Sequence, residues 1–126
     1  MSVADLVIRI KNGYMARKDV IVASYSKMNE AILTKLRKME YIEDFTVEGD
    51  KVKEILVTLR YEDGVPSMTD VKIFSTPGRR WYTSYTEIRP VLGGMGQAVV
   101  SSSKGIITGF EARKEKVGGE LLFHIW

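Results

Sequence analysis

Ala98-Val99-Val100-Ser101-Ser102-Ser103-Lys104-Gly105-Ile106-Ile107-Thr108-Gly109-Phe110-Glu111 carries several local signals in succession. Ala98–Ser101 is a mostly apolar run with paired valines and reads as a strand. Ser102-Ser103-Lys104-Gly105 is a polar loop that ends in a glycine. Ile106-Ile107 starts another strand. Thr108 and Glu111 have the spacing of a capping box, which opens a short helix to about Lys116. Strand, loop, strand and helix in so short a span point to an α+β fold.

Reading outward, Arg80–Thr83 is a short strand and Tyr85–Arg89 about one helical turn, closed by Pro90. Gly93-Gly94-Met95-Gly96 is a tight glycine loop. Downstream, Gly118-Gly119 turns the chain into a closing strand, Glu120–Trp126. Thr76-Pro77-Gly78 is the expected domain boundary, because Pro-Gly forces a turn. Before it, Ser2-Val3-Ala4-Asp5 resembles a capping box, and Val3, Leu6, Val7, Ile10 and Tyr14 recur at helical spacing. That predicts a helix over about residues 3–16, weakened at Asn12-Gly13. Val20–Ala23 is a strand. Ser26 caps a second helix to about Glu40, with Met28, Ala31, Ile32, Leu36 and Met39 on its inner face. Tyr41–Glu48 is a strand that turns at Gly49-Asp50. Ile55, Val57, Leu59 and Tyr61 alternate as in a half-buried strand, Asp63-Gly64 breaks the run, and Val71–Phe74 starts again. The expectation is two small apposed subdomains: an N-terminal α-β-α-β-β-β unit over residues 1–75, and a mainly β C-terminal unit with a short helix over residues 76–126.

The 126 residues suit one domain or two very small ones, and 44% hydrophobic content suits a globular chain. The absence of cysteine excludes disulfides, thiolate zinc sites and a cysteine nucleophile. The N-terminus lacks a basic segment followed by an apolar run, so a cytoplasmic location is expected. Net charge is +3, unevenly spread: residues 1–38 carry +5, residues 39–70 carry −6 and residues 71–126 carry +4. A polyanion would be met by the two ends of the sequence rather than the middle.

Catalytic patterns fail in turn. Gly94-x-Gly96 lacks the third glycine of a dinucleotide fingerprint, since Val99 stands there. No Gly-Lys-Ser/Thr occurs. His124, the one histidine, lies on an apolar strand and reads as a packed edge residue, not a general base. Glu43, Asp44 and Glu48 read as a solvated face. No cofactor, metal site or small-molecule substrate is expected, and the chain is not expected to be an enzyme. Binding chemistry remains. Ser101–Gly105 puts hydroxyls, an ammonium and a backbone-permissive glycine together, suited to ribose, phosphate and base edges. Arg79-Arg80-Trp81-Tyr82 joins guanidinium groups to rings that suit stacking on an unpaired base. A plain polar hairpin loop and a strand with core aromatics account for the same residues equally well.

These residues resemble the bacterial-type small ribosomal subunit protein S-eight family over essentially the whole chain. The resemblance is carried by Ala4-Asp5, Arg9-Ile10-Lys11-Asn12-Gly13, Ser26-Lys27, Tyr41-Ile42 with Phe45, Pro77-Gly78, Arg80 and Tyr82. It is densest from Gly94 to Thr108 and closes with Ala112 and Gly118-Gly119-Glu120. It implies a primary binder of the central domain of small-subunit ribosomal RNA that helps subunit assembly beside neighbouring ribosomal proteins. In some members it also implies repression of the operon's own messenger RNA. The location implied is a cytoplasmic ribosome, with an organellar one left open. The RNA-site or site-supporting residues it implies are Ser101, Ser102, Ser103, Lys104, Gly105, Tyr82, Arg80 and Glu120, and in the N-terminal unit Asp5, Arg9 and Asn12. The chain departs from the family in having Thr83-Ser84-Tyr85-Thr86 where a basic cluster is common. It also departs in Trp81 and in its final Trp126. The alternative class is a protein-interaction module that never touches RNA.

Overall fold

Ser2 opens helix α1, Val3–Met15, with a reciprocal cap. Its hydroxyl accepts from the Asp5 N–H at 3.2 Å, and the Asp5 carboxylate accepts from the Ser2 N–H at 3.3 Å and the Ser2 hydroxyl at 2.9 Å. Leu6, Val7, Ile10 and Tyr14 form the buried stripe that the spacing predicted. The helix does not weaken at Asn12-Gly13. Gly13 is buried, and a Cβ there would fall 2.6 Å from Ile21 Cγ2, so the glycine lets α1 seat closely. The computed structural model describes residues 1–126, which form two compact units, Met1–Thr69 and Asp70–Trp126.

In the first unit, β1 (Val20–Ser24), β2 (Asp44–Glu48) and β3 (Glu54–Thr58) make an antiparallel sheet in the order β1-β3-β2. Its register aligns Ile21, Val57 and Phe45 in one row and Ala23, Ile55 and Val47 in the next. Residues in such rows share a face, which is why apolar side chains alternate along each strand. Helix α2, Lys27–Lys38, is capped by the Ser26 hydroxyl, which accepts from the Asn29 N–H at 3.0 Å. Its inner stripe is Asn29, Ile32, Leu33 and Leu36, whereas Met28 and Ala31 are exposed, contrary to expectation. The buried Asn29 amide rotates the stripe by donating to Ser24 O at 3.1 Å and Met1 O at 3.4 Å. The next strand starts later than expected, at Asp44. Glu40 has φ +66° and the Tyr41 N–H still donates to Leu36 O at 2.9 Å, so Tyr41 belongs to the helix exit. β4 (Tyr61–Glu62) and β5 (Val65–Pro66) form a hairpin across Asp63 and Gly64, both left-handed as a tight hairpin turn requires.

The second unit contains β6 (Val71–Ile73), β7 (Tyr82–Thr83), β8 (Gln97–Ser102), β9 (Gly105–Thr108), α3 (Gly109–Glu115) and β10 (Gly119–Ile125). The sheet runs β6-β10-β8-β9, and β7 also pairs with β10. Thus β6 sits in this unit, paired with Phe123–Ile125, and not with the residues before it. The Pro77-Gly78 turn lies inside the unit, where Thr76 and Arg79 exchange backbone hydrogen bonds of 3.0 and 3.1 Å. Thr108 and Glu111 form the expected capping box of α3. Ile88, Val91, Ala98, Val100, Ile107, Ala112 and Leu121 form one buried cluster, and Val99, Phe123 and Ile125 are buried as well. No helix is long and apolar enough to cross a membrane.

Gly13→Val should lower the denaturant midpoint by the equivalent of about 1–3 kcal/mol without changing the slope of the transition, because the added atoms overpack against Ile21. His124 is half-buried with its ring centroid 4.5 Å from that of Phe74. Burial, and then the Lys72 ammonium, lower its pKa from 6.5. As pH falls through 6.5 the unfolded chain takes up the proton first, so stability drops from there toward the folded pKa. A melting-temperature profile should show that decline, and His124→Gln should flatten it.

Candidate nucleic-acid interface

Tyr82, Glu120 and Ser101 are lateral neighbours on three adjacent strands, β7, β10 and β8. Direct cross-strand partners project from the same face, so an aromatic ring, a carboxylate and a hydroxyl form one row. Tyr82 is 72% exposed. The Glu120 side chain is mostly enclosed and pairs with Arg80 Nη1 at 3.3 Å. That pairing keeps a carboxylate from presenting bare charge on the face. The row depends on Gly118 and Gly119, whose role the sequence reading missed. A Cβ on Gly118 would lie 2.6 Å from Thr83 O, and one on Gly119 would overlap Ser101 O. The double glycine before a strand was the only available signal.

The row continues into the β8–β9 turn. The register pairs Ser102 with Gly105, leaving Ser103 and Lys104 at the tip. Gly105 has φ +101°, a left-handed conformation that favours glycine. The Ser102 hydroxyl donates to Gly105 O at 3.0 Å and accepts from the Lys104 N–H at 3.1 Å. Ser103 and Lys104 are exposed. The Lys104 ammonium lies 3.8 Å from the Glu115 carboxylate at the end of α3, an exposed pair worth little and easily exchanged for phosphate.

Both rings of the four-residue stretch Arg79–Tyr82 are exposed, but their surroundings differ. Trp81 packs edge-on to Phe74 with centroids 5.4 Å apart, and its backbone is tied to Ser75, whose hydroxyl accepts from the Trp81 N–H at 2.8 Å. Trp81 stays 45% exposed, and Tyr82, at 72%, is the more open platform. Arg79 is exposed on the Pro77-Gly78 turn.

In the first unit, Asp5, Arg9 and Asn12 line one open groove of about 850 Å³ with Lys18, Val20 and Val22. Two of the three already serve the fold. Asp5 caps α1, and hydrogen bonds from Ser2 lower its pKa. Arg9 Nη1 donates to Val22 O at 3.0 Å. Asn12 is exposed. No cluster of three His, Cys, Asp or Glu side chains that could hold a metal ion occurs.

Comparison with known proteins gives a consistent result. The family model described as ribosomal protein S8 matches residues 2–126. The chain is 46% identical to the small ribosomal subunit protein uS8 of Dictyoglomus thermophilum, over 98% of this chain and 95% of that protein. It is 41% identical to the uS8 of Mycoplasma mobile, over 98% and 94%. It is 39% identical to the small ribosomal subunit protein uS8c of Tupiella akineta, over 99% and 97%.

Gly119→Ala tests whether close strand approach builds the row. It should destabilise the chain by about 1–3 kcal/mol and shift the amide resonances of Tyr82 and Ser101. Gly78→Ala, which meets no atom within 4 Å, is the control and should do neither.

Proposed function

The chain belongs to the ribosomal protein S8 family, and from that premise we propose that it is a structural constituent of the small ribosomal subunit that binds small-subunit ribosomal RNA directly. The proposed RNA is the central domain, the proposed role is to help that domain assemble, and the proposed location is the ribosome. Neighbouring small-subunit proteins are its other partners there. The same surface would serve where the operon's own messenger RNA offers a similar helix.

The observation that carries this reading is the continuity of the Tyr82–Glu120–Ser101 row with the exposed Ser103-Lys104 tip. The wide, shallow RNA minor groove displays 2′-hydroxyls and base edges to short polar side chains. A serine at a turn tip reaches such groups. An open tyrosine face accepts an unstacked base, and Arg80 and Lys104 meet phosphate. Asp5, Arg9 and Asn12 belong to the proposal as a second contact in the first unit, with Asn12 the group not already used by the fold.

The test is a titration against an interrupted A-form RNA helix and against DNA of the same sequence, at several salt concentrations. RNA should bind more tightly. The salt dependence should be shallow, because net charge is only +3 and Thr83–Thr86 adds no cation. Ser103→Ala should weaken the cognate RNA by about 0.5–1.5 kcal/mol and a random helix by less. Lys104→Met should weaken both alike and reduce the salt slope by about one contact. Equal binding of RNA and DNA, or full affinity in both variants, would refute the interface.

A further inference from the structure

The geometry assigns Ser102 a positioning role: its hydroxyl holds the β8–β9 turn in the form that RNA binds, instead of touching RNA itself. The inference rests on the RNA-binding reading above and divides labour within it. A serine hydroxyl has one hydrogen and two acceptor lone pairs. Here the hydrogen goes to Gly105 O at 3.0 Å and one lone pair takes the Lys104 N–H at 3.1 Å. The only donor is committed, and both bonds close around the two residues at the tip. Ser102 is half-buried, whereas Ser103 beside it is exposed. Three adjacent serines therefore differ in kind. Ser101 sits in the sheet row opposite Glu120, Ser102 ties the turn, and Ser103 is presented.

The tie matters because it acts at the tip, beyond the strand pairing that closes the turn at Ser102 and Gly105. No atom lies within 4 Å of the position a Gly105 Cβ would take, so nothing packs against that side of the turn. A glycine backbone samples left- and right-handed conformations readily. Without the Ser102 hydroxyl, the Lys104 N–H and Gly105 C=O turn to water and the tip populates several conformations. RNA then captures only the competent fraction, and the apparent dissociation constant rises by the inverse of that fraction. Phosphate contacts are unchanged once the tip is bound, so the salt slope stays fixed.

The experiment uses the full chain with Ser102→Ala and Ser102→Thr. It reads hydrogen exchange of the Lys104 amide in the free protein, and titrates the interrupted RNA helix at several salt concentrations. Ser102→Ala should speed Lys104 exchange and weaken binding about three- to tenfold, with the salt slope unchanged and a single cooperative melting transition retained. Ser102→Thr keeps a hydroxyl at the same place and should restore both slow exchange and affinity. Lost affinity with unchanged Lys104 exchange would overturn the role in favour of direct contact. Faster exchange with full affinity would overturn it by showing that the preset turn is irrelevant to binding. A wild-type chain that binds no RNA would instead overturn the interface reading, a failure visible before any variant is compared.

Discussion

Strand β10 is hydrogen-bonded along both edges, and the second unit is organised by how its two edges are filled. One edge takes β8 from Gln97 to Ser101. The other is shared by two short strands, β6 against Phe123–Ile125 and β7 against Gly119–Glu120. The register shifts at Leu122, whose carbonyl accepts from the Phe74 and Ser75 N–H groups at 3.0 and 3.3 Å. That shift is a bulge in the β8 ladder; on the opposite edge the chain leaves after Ile73, turns through Pro77-Gly78 and returns as β7. Ser75 closes the gap, its buried hydroxyl accepting from the Trp81 N–H. Every residue of the candidate row inherits its position from this arrangement. Tyr82 reaches Glu120 only because β7 returns to the same edge, and Ser101 reaches it only because Gly119 brings no side chain against β8.

What was legible in the sequence were the features decided by neighbours in the chain. The caps at Ser2, Ser26 and Thr108 are local hydrogen bonds with fixed spacing. The alternation through Ile55, Val57 and Leu59 is a property of one strand. The features that were not legible are long-range. Val71–Ile73 reads as the last strand of an N-terminal run, yet its partner is at the other end of the chain. Met28 is a better core residue than Asn29 by hydropathy. Asn29 goes inside because Ser24 and Met1 offer carbonyls to its amide, which periodicity does not encode. Gly13 reads as a helix weakness and is a contact. Of the residues named by resemblance, Arg80, Tyr82, Ser101–Gly105 and Glu120 come together in the second unit, and Asp5, Arg9 and Asn12 lie in the first. Their roles, above all the Arg80–Glu120 pair and the packing of Trp81 on Phe74, needed the sheet register.

The acidic middle of the sequence is partly satisfied from within. Arg37 pairs with Asp44 at 3.0 Å, and Arg60 lies 3.9 Å from Glu40 and 3.5 Å from Glu43. These exposed or half-exposed pairs contribute little stability each, but they soften the local potential of the −6 segment. The same economy appears at the proposed interface, where Arg80 meets Glu120 and Lys104 meets Glu115. Cations that hold intramolecular partners in the free chain must release them to bind phosphate, so each brings less net attraction than an unpaired one.

That balance bears on which chemistry would dominate the proposed RNA interface. Counterion release is blind to sequence, so it would not supply the discrimination there. In the proposed interface it would come from short hydrogen bonds and from a ring placed where a base can unstack onto it. Such contacts are sensitive to position in a way that charge is not. Coulomb attraction declines slowly with distance, whereas a hydroxyl hydrogen bond weakens steeply once geometry is lost. An interface that relies on serines therefore needs a rigid frame, and this unit supplies one at each level: a strand paired on both edges, glycines that bring the neighbouring strands close, and a turn closed by its own side chain.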